Sequence, residues 1–203
     1  MTIRLHKRDL PDAARFRGAV AIDTETLGLN PRRDRLCVVQ LSAGDGSADI
    51  VQIAAGQTAA PNLTRLFADP SVTKLFHYAR FDVAVLENAF GVMAAPLFCT
   101  KIASRLTRTY TDRHGLKDLV KDLLDIEMSK QQQSSDWAAE TLSDAQLAYA
   151  ASDVLHLHAL KAELDLRLDR DGRRALAEAC FAFLPTRARL DLAGWGEEDI
   201  FAH

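Results

Sequence analysis

An apolar strand that ends in two carboxylates is the feature that most constrains this chain. Residues 19–22 read Ala-Val-Ala-Ile, and Asp23 and Glu25 follow on alternating positions. Because side chains two apart on a β-strand point to the same face, these carboxylates can converge on one point at the strand end. Their repulsion would need a compensating cation, for which Mg²⁺ and Mn²⁺ are suited. The pair alone is not diagnostic, since others such as Asp125 and Glu127 occur.

Composition narrows the class of protein further. The 203 residues, 48% of them hydrophobic and 26% charged, suit one globular domain with a substantial core. The sequence contains neither an apolar run of membrane-spanning length nor a signal-peptide pattern at its start. Cys37, Cys99 and Cys180 are widely spaced, which favours buried thiols and a cytoplasmic location. A net charge of −3 argues against a large duplex-binding surface, but a short nucleic acid needs few phosphate contacts.

Strand patterns dominate the first half of the chain and helical patterns the second. The predicted strands are residues 19–24, 36–42, 48–53 and 73–77. The predicted helices are residues 62–69, 81–90, 100–106, 116–124, about 143–169 and about 173–184. Ser143 and Gln146 form a capping-box pattern, and Pro185 is expected to end the last helix. This order predicts one α/β layered domain over residues 1–203.

Two further acids accompany the strand pair. Asp82 lies early in the helix after strand 73–77, where an acid is also commonly a helix-dipole partner. Asp153 lies among apolar residues of the long helix, where an unpaired acid is costly. Tyr149 precedes Asp153 by four residues and therefore shares its helix face.

The order of these pieces closely resembles the DEDD exonucleases of the tyrosine subclass, and within them the ribonuclease D group. The likeness rests on AIDTETLGL (21–29), FHYARFD (76–82), GLKDLV (115–120), KQQQSSDW (130–137), LS (142–143) and YAASD (149–153). The chain is too short for the C-terminal helical domains of full ribonuclease D, and it looks most like the compact nanoRNase C (NrnC) type, whose members trim very short RNAs, including dinucleotides. The resemblance implies a ribonuclease H-like fold with a mixed five-stranded sheet flanked by helices. It also implies ring-like homo-oligomers, with an octamer as the expected form.

The resemblance further implies phosphodiester hydrolysis from the 3′ end with two divalent ions, Mg²⁺ or Mn²⁺. Asp23 would bridge the ions, and Asp82 would hold the second one. Glu25 and Asp153 would complete the site of the attacking water. Tyr149, as a phenol with an ordinary pKa of about 10, is a poor base at neutral pH and would orient that water.

The first predicted substrate contacts lie on, or just after, the strand that carries Asp23 and Glu25. The others lie in two later segments of the chain. Together the predicted contacts are Thr24, Thr26, Leu27, His77, Lys130, Gln133, Ser134 and Trp137. Leu27 would wedge against a base, or it would be an ordinary core or loop leucine. His77 would touch the sugar or phosphate of the substrate, or it would be a structural histidine. Residues 130–137 suit phosphate contact and stacking, or form a solvated loop around a buried tryptophan. Two basic groups would guide nucleic acid or be ordinary surface: Arg32, Arg33 and Arg35, and further along the chain Arg105, Arg108, Arg113, His114 and Lys117.

We therefore expect a cytoplasmic, metal-dependent 3′–5′ exoribonuclease that hydrolyses short oligoribonucleotides to nucleoside 5′-monophosphates. A general 3′–5′ exonuclease on longer RNA or on DNA would use the same site. A catalytically silent nucleic-acid-binding module would not need all four acids and the tyrosine. A purely structural α/β protein would leave Asp153 unexplained. The expected partners are short RNA, with DNA as the alternative, and further copies of the chain, but no membrane.

Overall fold

The computed structural model describes residues 2–129, 132 and 134–203. Within them lies a six-stranded sheet in the order β1-β4-β3-β2-β5-β6. The strands are β1 Thr2–Lys7, β2 Ala19–Thr26, β3 Leu36–Ser42, β4 Ser47–Gln52, β5 Thr73–Phe76 and β6 Leu97–Cys99. The helices are α1 Pro61–Ala68, α2 Ala79–Phe90, α3 Thr100–Thr107, α4 Leu116–Leu124, α5 Asp144–Leu155, α6 Leu157–Arg170 and α7 Arg174–Ala193.

The sheet is mixed, and helices cover both of its faces around β2. Strands β2, β3 and β4 form an antiparallel meander, whereas β1 runs parallel to β4, β5 parallel to β2 and β6 parallel to β5. Helix α5 packs on β1 to β4, and α2 packs on β2, β3, β5 and β6. Strand β3 is consequently buried along its whole length, as expected of a strand covered on both faces. The α/β class with a mixed sheet and flanking helices is confirmed.

Strands β1 and β6 were not among the four predicted from the sequence pattern, and the sheet has six strands rather than the five that the resemblance implied. Strand β1, Thr2–Lys7, lies at the edge and pairs with β4 from Thr2 opposite Ser47 to Lys7 opposite Gln52. It is largely exposed and therefore carries little of the apolar signal by which strands are predicted. Backbone pairing along one side suffices to hold such a strand.

Two predicted helix ends were also wrong. The helix expected to run from about residue 143 to 169 breaks at His156, where α5 ends and α6 begins. Neither Gly nor Pro marks this break. Helix α6 packs mainly on α3 and α4, with further contacts to β2 and β5, instead of continuing over the strands that α5 covers. The last helix continues through Pro185 to Ala193, because its buried side chains pack against α2 and β6. That packing outweighs the usual preference of proline for helix ends.

The predicted capping box at the start of α5 is confirmed. The Ser143 side chain accepts a hydrogen bond from the Gln146 backbone amide, and the Gln146 side chain accepts one from the Ser143 amide at 2.9 Å. This fixes where α5 begins and hence the helix face that carries Tyr149 and Asp153. In the described part of the chain, no helix combines the length and the apolarity needed to cross a membrane.

Candidate active site

Three carboxylates meet where β2 ends against α5. One oxygen each of Asp23, Glu25 and Asp153 lies within 4.8 Å of the other two. Asp23 and Glu25 come from one face of β2, as strand alternation predicts, and Asp153 comes from α5 on that side. Asp23 and Glu25 of the strand and Asp153 of the helix therefore converge as predicted.

The fourth acid, Asp82, approaches from the other side of β2. It lies in the first turn of α2, is 3% exposed, and accepts a hydrogen bond of 2.7 Å on Oδ1 from the Thr24 hydroxyl. It is not part of the group formed by the other three acids. It is nevertheless near enough to Asp23 and Glu25 for its charge to disfavour their simultaneous ionisation.

Burial raises the pKa of every acid in this group, and repulsion by neighbouring carboxylates adds to the effect for Glu25, Asp82 and Asp153. Burial is the largest cause, and it raises the pKa of Asp23 to about 7 and that of Asp153 to about 8. Burial, then the charges of Asp23, Asp153 and Asp82, raises the pKa of Glu25 to about 10. Burial and then Asp23 raise the pKa of Asp82 well above its ordinary value. The carboxylates cannot all be ionised near pH 7 without a cation, and such an all-oxygen donor set suits hard divalent ions.

A buried amide completes the surroundings of Asp23. Gln40 lies opposite Asp23 in the β2–β3 register and is fully buried. Its Nε2 lies 3.5 Å from Oδ2 of Asp23, and its Oε1 has no hydrogen-bond partner among the described residues. Sequence reasoning missed Gln40. The signal was its place at the centre of a predicted apolar strand, where a polar side chain needs a partner.

An aromatic pair forms the α5 wall of the site. The Tyr149 hydroxyl hydrogen-bonds to Asp153, and its ring centroid lies 6.0 Å from that of Trp137. Burial, followed by the charges of Asp153 and Glu25, raises the pKa of Tyr149 above its ordinary value. Tyr149 therefore stays a phenol at neutral pH, in keeping with the prediction that it is not a general base.

The acids open into a cleft of about 680 Å³. Its lining includes Asp23, Glu25, Tyr149 and Asp153, and the predicted substrate contacts Thr24, Thr26, Leu27, His77, Ser134 and Trp137. Asp82 does not line it and lies behind Thr24. The predicted contacts Lys130 and Gln133 lie outside the described residues.

The predicted contacts differ in what they present to this cleft. Leu27 is 56% exposed beside the metal strand, as a wedge would be. Thr26 donates its hydroxyl to the Gly28 carbonyl and thereby shapes the following turn. Trp137 is only 3% exposed and belongs to the hydrophobic core, so it offers little ring surface to a base.

His77 lies beside the acids as a neutral ring. Burial and then the charge of Lys101 lower its pKa to about 3. Its Nδ1 lies 2.9 Å from the Thr100 hydroxyl, which leaves Nε2 for another partner. His77 can therefore exchange hydrogen bonds with a sugar or phosphate but brings no positive charge.

Among the described residues that line the cleft, Lys117 is the one with a cationic side chain. Other members of the predicted basic group are engaged elsewhere: Arg108 is 1% exposed and bonded to Asp122, and Arg113 pairs with Asp118. Lys117 has no hydrogen bond or ion pair with any described residue. The sequence placed it in a basic group but did not single it out, because only the tertiary fold brings the start of α4 to the acids.

The match with known proteins covers most of the chain. The model of the 3′–5′ exonuclease family, of the DNA polymerase A exonuclease type, matches residues 7–169. The chain belongs to the 3′–5′ exonuclease family. This exonuclease is 41% identical over 154 residues to a ribonuclease D of Acidiphilium cryptum (strain JF-5), which corresponds to 76% of this chain and 39% of that protein. It therefore spans about two-fifths of the length of that curated relative.

Solved structures of similar length match the exonuclease throughout. Brucella melitensis NrnC with bound Mg²⁺ is 67% identical, with a TM-score of 0.97 and 100% of both chains covered. Brucella melitensis NrnC bound to pGG is 68% identical, with a TM-score of 0.97 and 100% of this chain and 99% of that chain covered. The predicted resemblance to the ribonuclease D group and its NrnC type is confirmed, as is the ribonuclease H-like exonuclease fold. The acidic group and the Mg²⁺-bound relative support the use of divalent metal.

Proposed function

We propose that this exonuclease hydrolyses short oligoribonucleotides, including dinucleotides, from the 3′ end to nucleoside 5′-monophosphates. The observation that carries the proposal is the convergence of Asp23, Glu25 and Asp153 in an open cleft, with Asp82 behind them. The full-length similarity to an NrnC solved with pGG supports a short substrate.

The donor set fits two divalent ions, Mg²⁺ or Mn²⁺. Asp23, Glu25 and Asp153 would hold them from one face of β2 and Asp82 from the other. Bound ions would stabilise the attacking and the leaving oxygen of an in-line displacement at phosphorus. The raised pKa values support this assignment, because ionising these carboxyls together requires added positive charge.

Tyr149 acts by orientation. Its phenol is held by a hydrogen bond to Asp153 and by packing against Trp137. From this position it aligns the attacking water with the phosphorus atom. Positioning a reactant in this way lowers the barrier without proton transfer to the phenol.

Substrate contacts come from both rims of the cleft. Leu27 packs against a base, and His77 exchanges a hydrogen bond with the sugar or phosphate at the 3′ end. Lys117 contacts a phosphate, since an anionic substrate entering an acidic cleft gains from the free cation there. Ser134 and Trp137 also line the cleft.

At the level of the whole protein, we propose that residues 1–203 act as one exonuclease domain and assemble into ring-like homo-oligomers, with an octamer as the expected form, in the cytoplasm. Exposed apolar side chains away from the cleft, among them Phe183 and Phe201, are compatible with contacts between copies. Sedimentation equilibrium of the purified chain tests the assembly.

The activity is tested with 5′-labelled RNAs of two, five and twenty nucleotides, incubated with Mg²⁺, Mn²⁺ or EDTA. Wild type is compared with Asp82→Asn and with Glu178→Gln, an exposed acid on α7 that does not line the cleft. We expect stepwise, metal-dependent shortening by wild type and Glu178→Gln, and none by Asp82→Asn.

The relative rates decide the substrate class. Fastest cleavage of the dinucleotide supports the short-substrate proposal. Equal rates for all lengths would replace it with a general 3′–5′ exonuclease. Failure to cleave any RNA or DNA, by a folded protein that binds metal, would leave a nucleic-acid-binding module.

A further inference from the structure

The Thr24 side chain faces away from the three-acid group. Asp23 and Glu25 point to the α5 side of β2, so the residue between them points to the α2 side. There Thr24 is 6% exposed, and its hydroxyl donates a 2.7 Å hydrogen bond to Oδ1 of Asp82. A hydroxyl engaged in this way is not free to bind substrate, although the rest of Thr24 still borders the cleft.

This hydrogen bond connects the two elements that carry the acids. Thr24 belongs to β2 and Asp82 to α2, 58 residues apart in sequence. The Asp82 carboxylate is also hydrogen-bonded to the backbone amides of Thr24 and of Asp82 itself. Among the described residues, the Thr24 hydroxyl is therefore its one side-chain donor.

The geometry determines which atom of Asp82 stays available. The Thr24 hydroxyl holds Oδ1, so we expect an ion or its water to approach the other oxygen, Oδ2. A β-branched threonine holds its hydroxyl in few rotamers, so the carboxylate is fixed before any ion arrives.

We propose that Thr24 is a positioning residue, whose hydroxyl fixes the Asp82 carboxylate so that Oδ2 is presented to a divalent ion. The inference rests on the proposed function for the identity of the ligand. Groups that orient a metal ligand through a hydrogen bond typically change metal affinity or activity by about 10- to 100-fold when removed. Thr24→Val keeps the shape of the side chain and removes the donor, whereas Thr24→Ser keeps the donor.

The test measures Mn²⁺ binding by isothermal titration calorimetry on the full chain without RNA. We expect Thr24→Val to weaken Mn²⁺ binding by about 10- to 100-fold and Thr24→Ser to retain most of the affinity. The matched control is Thr107→Val, because Thr107 is also buried, donates its hydroxyl at 2.8 Å to the Ala103 carbonyl, and does not line the cleft. It should lose stability without losing Mn²⁺ affinity.

A double-mutant cycle separates positioning from a general structural effect. On an Asp82→Asn background, Thr24→Val should weaken Mn²⁺ binding no further. Wild-type affinity in a folded Thr24→Val protein would overturn the inference, as would equal losses in both backgrounds. If Thr24→Val does not fold, Thr24→Ala against Thr24→Ser decides, and equal affinities would overturn it. Failure of wild type to bind Mn²⁺ or to cleave RNA would instead overturn the proposed function.

Discussion

At the residue scale, three of the four acids differ in the side chain that lies against their carboxyl group. Asp23 faces the buried Gln40 amide, Asp153 is tied to Tyr149, and Asp82 is held by Thr24. The hydrogen bonds from Tyr149 and Thr24 oppose the effect of burial by favouring the charged forms of Asp153 and Asp82. We infer that these neighbours partly prepare the site for a cation.

Tyr149→Phe removes the hydroxyl from the Asp153 carboxylate and leaves the ring packed on Trp137. We expect kcat to fall by about 10- to 100-fold, because the attacking water loses its orienting partner. Mn²⁺ affinity should change far less. Single-turnover rates and calorimetry measure both, and an unchanged rate would remove Tyr149 from the reaction.

Lys117→Gln removes the free cation from the described cleft lining. The expected result is a KM about tenfold higher, in line with the loss of one charge-assisted hydrogen bond to a phosphate, and a weaker dependence of KM on salt. Lys121→Gln serves as the matched control, since Lys121 lies four residues further along α4 and pairs with Asp125 and Glu127. Equal KM changes in both variants would contradict a specific role for Lys117.

The positions of single residues were predictable where the spacing of acidic residues matches the alternation of a strand. Alternation along a strand was enough to bring Asp23 and Glu25 together. The same alternation implies that the Thr24 side chain faces the other way. Gln40 and Lys117 could not be assigned from local pattern, because strand register and the docking of α4 decide their neighbours.

At the element scale, α7 braces the helix that carries Asp82. Arg80, in the first turn of α2, binds Asp191 of α7 through Nε at 2.6 Å and through a second guanidinium nitrogen at 2.8 Å. Arg80 also donates to the Gly196 carbonyl, and Arg187 joins the same carboxylate. A two-pronged contact of this kind fixes direction as well as distance.

Asp191→Asn should therefore lower both stability and turnover. We expect the free energy of unfolding to fall by about 1–3 kcal/mol, since Arg80 and Arg187 lose a shared charged acceptor. We also expect kcat to fall several-fold, as the first turn of α2 becomes less fixed. The control, Arg189→Gln, breaks the exposed ion pair with Glu87 on the same helix pair and should change little. Thermal unfolding and kcat at saturating metal measure both effects, and wild-type kcat in Asp191→Asn would argue against the brace.

Element boundaries were predicted well where local signals set them and poorly where packing did. The capping box marked the start of α5 because its partners lie within four residues of each other. The break at His156 and the passage of α7 through Pro185 depend on contacts with other elements. Those contacts cannot be predicted from the residues next to the boundary in sequence.

At the scale of the whole molecule, the acidic cleft couples stability to pH and to metal. Between about pH 7 and pH 8, the raised pKa values of Asp23, Asp153 and Glu25 keep protons on the folded state that the unfolded state has already lost. Since the folded state binds more protons, its stability falls as pH rises across this window. Each extra proton contributes a slope of about 1.4 kcal/mol per pH unit.

We accordingly expect the melting temperature in EDTA to drop from pH 7 to pH 8, and the increase produced by Mn²⁺ to grow over the same range. The cation favours ionised carboxylates and must displace the protons they hold. Differential scanning calorimetry at several pH values measures both slopes. The metal-free slope should be smaller in Asp153→Asn, and an identical slope would show that other groups cause it.

The fold class was predictable from the sequence. The acidic strand, the helices that carry Asp82 and Asp153, and the order of these elements along the chain all indicated the same α/β exonuclease fold. The edge strand β1 was not, since an exposed strand shows little apolar pattern. Its place is set by pairing with β4, more than forty residues away.

The residues that hold Arg80 of α2 in place lie outside the segment that the exonuclease family model matches. Similarity to the exonuclease family covers residues 7–169 and includes all four acids, yet Asp191 and Gly196 lie beyond it. A chain cut back to residues 7–169 would keep every group proposed for the chemistry and lose the partners that hold Arg80. We therefore expect the smallest unit that works at full rate to be longer than the segment that the family model matches. Changes beyond residue 169 would then tune the rate without altering the chemistry.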